Sequence, residues 1–171
     1  MLTSEHGRVG AVYLTREEIA ARVTALGAEI TSDYEGRDLL LIAPLKSSVV
    51  FLADLTRAVP LPHALDVVEL APYSEGRDVI VVEDVVDTGL TLHFLYRTLA
   101  LRDPASLVAV TLLDRPYRRL VEDIPLRYVG FTVPDELFAG YGLGLDERWR
   151  ALPDLHLVVG TELPEAASEA A

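Results

Sequence analysis

Glu83-Asp84-Val85-Val86-Asp87-Thr88-Gly89-Leu90-Thr91 brings together residue types that chemistry uses in concert. The segment follows Asp78-Val79-Ile80-Val81-Val82, an apolar run that reads as a strand. Two adjacent carboxylates at a strand end offer acceptors to the vicinal hydroxyls of a sugar. Asp87-Thr88-Gly89 then falls where a helix should begin. A helix N-terminus presents unpaired amides to a phosphate, and glycine lets the backbone approach it closely. Thr88 and Thr91 add hydroxyl donors. One segment can thus hold a sugar by its hydroxyls and its 5′-phosphate by the loop. The plainer reading is a solvated acidic turn with Asp87 as a helix cap. The order of strand, acid pair, two apolar residues and D-T-G-x-T favours chemistry.

The flanking sequence supplies elements to position this loop. Thr15 and Glu18 form a capping-box pattern, and Ile19, Val23, Leu26 and Ile30 follow on one helical face. Leu39–Pro44 reads as a strand buried on both faces, and a helical run spans about Ser48 to Val59. Strands are expected at Ala64–Leu70, Asp78–Val82, Leu107–Leu113, Tyr128–Val133 and Leu155–Val159, with a helix at Thr88–Leu101. Alternation of strands and helices predicts an α/β fold with a mostly parallel sheet flanked by helices. The N-terminal helix and the last segments are expected beside it as a small cap. Ligands in such folds bind outside the carboxyl ends of the strands.

Composition bounds the rest. The chain of 171 residues is half apolar, which suits one globular domain over residues 1–163 with a disordered tail at 164–171. With no cysteine there is no disulfide, thiolate metal site or cysteine nucleophile, and a cytoplasmic location is allowed. A net charge of −12, from 15 basic and 27 acidic residues, argues against a nucleic-acid partner. No apolar run is long enough to span a membrane, and no signal peptide is recognisable at the start. His6, His63, His93 and His156 lack metal-ligand spacing and read as packing or surface residues. Trp149 reads as packing for the cap or a subunit contact, and Asp54 as a solvated or capping acid on a helix.

With these residues in view, the chain resembles the hypoxanthine-guanine phosphoribosyltransferases, a branch of the type I phosphoribosyltransferases. Besides the acidic loop, the resemblance rests on Tyr34-Glu-Gly-Arg-Asp-Leu-Leu-Leu-Ile, Leu45-Lys46, Phe51-Leu-Ala-Asp-Leu and Gly76-Arg-Asp-Val-Ile-Val-Val-Glu-Asp. It continues in Leu112-Leu-Asp-Arg-Pro, Tyr128-Val-Gly-Phe-Thr-Val-Pro-Asp-Glu and Gly140-Tyr-Gly-Leu, covering roughly residues 12–160. It implies transfer of ribose 5-phosphate from phosphoribosyl pyrophosphate (PRPP) to hypoxanthine or guanine, with Mg²⁺ and release of pyrophosphate. Glu83 and Asp84 would serve the ribose hydroxyls and the metal, and Asp87 the proton near purine N7. Asp87, Thr88, Gly89, Leu90 and Thr91 would form the 5′-phosphate loop. Lys46, Ser47 and Arg150 would meet pyrophosphate, the first two on the loop Leu45-Lys46-Ser47-Ser48, which in the family has a non-proline cis peptide. A homodimer or homotetramer is also implied.

Four positions depart from the family pattern. A long lid is replaced by the short connection Ala71-Pro-Tyr-Ser-Glu-Gly76. Arg115 stands where a lysine reads the purine 6-oxo group. Leu137 stands where an aromatic residue stacks on the base, with Phe138 next to it. Gly144 stands where a metal-linked aspartate is usual, and Asp146 follows two residues later. Two alternatives to purine salvage stay open on these residues: a PRPP-dependent transferase for another heterocycle, and a catalytically weak PRPP- or nucleotide-binding protein.

Overall fold

The computed structural model describes residues 3–4, 7–68 and 74–160. The chain opens with strands β1 (Thr3–Ser4) and β2 (Gly7–Leu14). Thr15 then caps the first helix as expected. Its hydroxyl accepts from the Glu18 amide, and the Glu18 carboxylate accepts from the Thr15 amide at 2.8 Å. Helix α1 runs Arg16–Tyr34 and buries Ile19, Val23, Leu26 and Ile30. Strand β3 (Leu39–Ala43) is buried at every position, and α2 spans Ser48–Ala58. Strands β4 (His63–Val67), β5 (Asp78–Val86), β6 (Ser106–Asp114) and β7 (Leu126–Thr132) complete the main sheet. Its order is β4-β3-β5-β6-β7, parallel throughout.

Strand alternation sorts the core into two layers. Leu39, Leu41, Ile80, Val82, Val110 and Leu112 pack with the apolar faces of α1 and α2. Leu40, Ile42, Val79, Val81 and Ala109 pack with Leu92, Leu95 and Leu99 of α3 (Leu90–Ala100) on the other side. The chain leaves β3 through α2 toward β4, and leaves β5 through α3 toward β6. Because β3 and β5 are neighbours, these exits diverge and open a crevice between their carboxyl ends.

A second, antiparallel sheet of order β1-β2-β9-β8 forms the cap, with β8 at Phe138–Ala139 and β9 at Leu155–Val159. The N-terminal helix is not part of it. Helix α1 packs against α2 and β7, because its apolar stripe matches the apolar face of the main sheet. The cap instead takes its N-terminal share from β2, whose sequence Gly-Arg-Val-Gly-Ala-Val-Tyr-Leu lacks clean alternation. A two-residue strand such as β8 leaves no periodicity to read.

Two of the boundaries that differ from expectation bear on the acidic loop. Strand β5 continues past Val82 to Val86, pairing Glu83 with Thr111 and Val85 with Leu113 of β6, so the acid pair lies on the strand. Helix α3 begins at Leu90 because Gly89 adopts φ 82°, a left-handed conformation that interrupts the turn. Of the short connection at 71–76, residues 71–73 lie outside the described residues, as does the tail at 164–171. Among the described residues no helix is long and apolar enough to cross a membrane. Replacing the cap residue, Thr15→Ala, is expected to lower unfolding free energy by about 1 kcal/mol in urea denaturation. An unchanged midpoint would show that the box does not stabilise α1.

Candidate active site at the carboxyl edge of the sheet

Adjacent strand residues point to opposite faces, so β5 delivers its two acids to two different compartments. Asp84 turns toward α2, where the Ser48 hydroxyl donates to its Oδ1 at 3.1 Å. The Asp84 amide donates back to Ser48 Oγ at 3.3 Å. This reciprocal tie fastens the start of α2 to the end of β5. Glu83 turns toward α3 and is buried with Oε1 unpartnered. Burial, with the Asp84 charge beside it, pushes the Glu83 carboxyl up to about 8. A carboxyl left in this state offers hydrogen-bonding capacity to a ligand.

Beyond the strand the chain turns through Asp87 and Thr88 into α3. The Thr88 carbonyl is held by the amides of Leu120 and Val121, and its hydroxyl accepts from the Leu90 amide at 3.3 Å. Helix α3 has no side-chain cap, so its first turn faces the loop as a set of amides with the positive end of the helix dipole. Glu83, Val85, Val86, Asp87, Thr88, Gly89, Thr91 and Leu92 surround a cavity of about 220 Å³ at this turn. Leu90 does not line this cavity, and its side chain is exposed.

On the α2 side, the loop after β3 brings Ser47 to a second cavity of about 310 Å³, shared with Asp84, Asp87, Arg115, Leu137, Phe138 and Arg150. The Leu45–Lys46 peptide is cis, as the family resemblance implies. The cap presses closely on this loop. A Cβ on Gly142 would lie 2.4 Å from the Ser47 carbonyl oxygen, and Gly142 has φ 94°, so only glycine fits. The neighbouring Tyr141 hydroxyl donates to Asp54 of α2 at 2.6 Å. Asp54 is therefore a tether between α2 and the cap rather than a solvated acid. Arg150 donates to the Gly142 carbonyl at 2.8 Å and to Glu147 at 3.1 Å. Glu147 also accepts from Lys46 Nζ at 2.7 Å. The guanidinium of Arg150 fills the space over Gly144, its carbon 2.8 Å from where a Cβ would stand.

The third wall comes from the ends of β6 and β7. Arg115, just past β6, is buried, with Nη1 3.3 Å from Asp87 and Nη2 2.6 Å from Asp135. Arg118 also donates to Asp135 at 2.5 Å. These two guanidinium groups, Arg118 before Arg115, hold the Asp135 carboxyl below the usual range. Asp87 keeps one carboxylate oxygen, Oδ1, buried and unpartnered. Leu137 and Phe138 both reach the cavity wall. The Phe138 ring is committed to the core, 4.9 Å from the Tyr13 ring, so Leu137 supplies the uncommitted apolar surface.

Thus the fold gathers the expected residues at one sheet edge, except that Leu90 lines neither cavity and the Lys46 ammonium lies outside, 72% exposed against Glu147. Sequence reasoning missed Asp135 and Glu147, polar residues that act through distant partners. Ser48, implied by the resemblance only as the end of the pyrophosphate loop, instead binds Asp84. A larger cavity of about 590 Å³ lies across Arg150, walled by Val50, Tyr141, Leu152 and Pro153. It lacks the acid pair and the phosphate loop. Among the described residues no three acids or histidines converge as a metal cage. His63 and His156 hydrogen-bond to the backbone carbonyls of Leu61 and Gly10, in keeping with packing roles.

A crevice at the switch between β3 and β5, with an acid pair and an uncapped helix, matches what the resemblance to phosphoribosyltransferases implies. Residues 63–147 match the family model described as a phosphoribosyl transferase domain. A hypoxanthine-guanine phosphoribosyltransferase of Mycobacterium avium is 42% identical, the match covering 85% of this chain and 84% of the relative. A hypoxanthine phosphoribosyltransferase of Escherichia coli is 37% identical over 86% and 94%. Among solved structures, a hypoxanthine-guanine phosphoribosyltransferase of Bacillus anthracis superposes with TM-score 0.84 at 37% identity, covering 89% of this chain and 99% of that one. An enzyme of Leishmania tarentolae in complex with GMP gives 0.84 at 30% identity, over 88% and 97%. The chain belongs to the hypoxanthine-guanine phosphoribosyltransferase family.

The raised Glu83 carboxyl has a consequence for stability. A group raised on folding favours the fold below its unfolded value, and that stability is lost as pH rises through the folded value. In metal-free buffer Glu83→Gln is therefore expected to gain on the natural protein between about pH 5 and 8. The gain reaches on the order of a few kcal/mol at the alkaline end. Parallel pH profiles of the two proteins in thermal melts would contradict the burial of an unpartnered Glu83.

Proposed function

We propose that this protein is a purine-salvage enzyme that joins the ribose 5-phosphate of PRPP to hypoxanthine or guanine and releases pyrophosphate. The observation that carries the assignment is the meeting, at the end of β5, of two cavities that share Asp87, one with Glu83 and the uncapped start of α3, the other with Asp84.

In this reading the 5′-phosphate sits in the turn from Asp87 to Thr91, against the amides of α3 and the hydroxyls of Thr88 and Thr91. Glu83 and Asp84 take the ribose hydroxyls from either side of the strand. Lys46, Ser47 and Arg150 face the pyrophosphate. Leu137 offers the base an apolar wall, and Arg115 donates to its 6-oxo oxygen. The base loses one proton as its nitrogen bonds to C1 of the sugar and the C1–oxygen bond to pyrophosphate breaks. Asp87 receives that proton in this reading, supported by its buried and unpartnered Oδ1. Glu83 and Asp84 suit Mg²⁺, which binds through one or two carboxylates together with substrate oxygens and water. When bound, Mg²⁺ neutralises charge building on the pyrophosphate.

Arg115 and Leu137 in the base half keep a second reading alive, a transferase for another heterocycle. A homodimer or homotetramer belongs to the same proposal, on the family resemblance alone. Sedimentation at micromolar concentration tests it.

The decisive assay supplies PRPP and Mg²⁺ with hypoxanthine, guanine, xanthine, adenine or uracil and follows pyrophosphate release. Inosine or guanosine monophosphate is the expected product. Turnover of another base alone would support the second reading, and PRPP binding without any product would leave a binding protein. Asp87→Ala is expected to lower kcat by about 10²- to 10⁴-fold while changing PRPP affinity little. An unchanged rate would remove Asp87 from the chemistry.

A further inference from the structure

Lys46 and Arg150 come from opposite sides of the cavity mouth, one on the loop after β3 and the other in the cap. Both engage a single carboxylate. Glu147 accepts from Lys46 Nζ at 2.7 Å through one oxygen and from Arg150 Nη2 at 3.1 Å through the other. Glu147 itself is exposed, its side chain 66% accessible. The backbone holds it there at φ 60°, and the reciprocal bonds between Gly142 and Arg150 fix the other side of the bridge. The Arg150 Nε is buried and has no partner. Over Gly144 the same guanidinium occupies the room a longer side chain would need.

We propose that Glu147 is an internal stand-in for the pyrophosphate, a latch that holds Lys46 and Arg150 in the free protein and yields them when the diphosphate arrives. The inference rests on the assignment of Lys46 and Arg150 to the pyrophosphate. Exposed ion pairs are individually weak and screened by solvent, so a ligand with several negative charges displaces one carboxylate easily. The two cations stay ordered before the ligand binds, which reduces the entropy lost on binding. After the reaction the carboxylate returns and competes with the product. Glu147 thereby acts as a positioning residue that favours pyrophosphate departure.

Calorimetric titration with pyrophosphate in excess Mg²⁺ tests this on the natural protein, Glu147→Gln, Glu147→Asp, Lys46→Ala and Arg150→Gln. Glu147→Gln is expected to bind pyrophosphate about three- to tenfold tighter, with Glu147→Asp near the natural protein. The PRPP KM should fall, while the hypoxanthine KM and the melting temperature stay unchanged. Equal or weaker pyrophosphate binding by Glu147→Gln, with Lys46→Ala and Arg150→Gln weakened, would overturn the latch and leave the pyrophosphate site standing. If neither Lys46→Ala nor Arg150→Gln weakened binding, the site assignment and the latch would fall together.

Discussion

Burying two carboxylates at the end of a core strand is the constraint around which the sheet edge is arranged. β5 runs between β3 and β6 with apolar residues on both faces until Glu83, so the acids emerge where the sheet is still covered. Taking an ionised carboxylate out of water is costly unless it is paired or hydrogen-bonded. Asp84 meets this cost through Ser48, and that bond also sets where α2, and so the preceding loop, begins. Glu83 has no such partner and rises toward neutrality instead. The two neighbours thus receive opposite treatment from one strand.

The same pairing logic extends to the cations. A chain with a net charge of −12 offers an anionic substrate a repulsive surface, so attraction must be local. Arg115 is held between Asp87 and Asp135, while Lys46 and Arg150 share Glu147. Each cation lining the site is ordered before any ligand arrives. Arginine at 115 suits this role better than lysine would, because its fork reaches two carboxylates at once. The apolar side of the base cavity is correspondingly plain, with Leu137 at the wall and Phe138 absorbed into the core beside Tyr13.

Much of this was legible in the sequence because the relevant signals were local. The Thr15–Glu18 box, the unbroken apolar run of β3 and the acidic loop each carry their meaning within a few residues. The end of β5 was misplaced because charged residues look like loop, whereas pairing with Thr111 and Leu113 keeps them in the sheet. The cap was harder to read, since β2 contains two glycines and β8 has only two residues. Ser48, Asp135 and Glu147 act through partners 36, 20 and 101 residues away in the chain, distances over which no local pattern operates. The departures at Arg115 and Gly144 were visible as letters. What the fold does with them, a three-way ion bridge and a guanidinium seated over a glycine, needed the third dimension.

The most direct test of the claim that the end of β5 is the PRPP site is equilibrium binding of PRPP with Mg²⁺ to the natural protein and to the doubly neutral Glu83→Gln, Asp84→Asn variant. If the two acids hold the ribose and its metal, the variant remains folded and loses at least about a hundredfold in affinity, as expected when several charge-assisted bonds are removed. Unchanged affinity in a folded variant would place PRPP elsewhere and contradict the assignment.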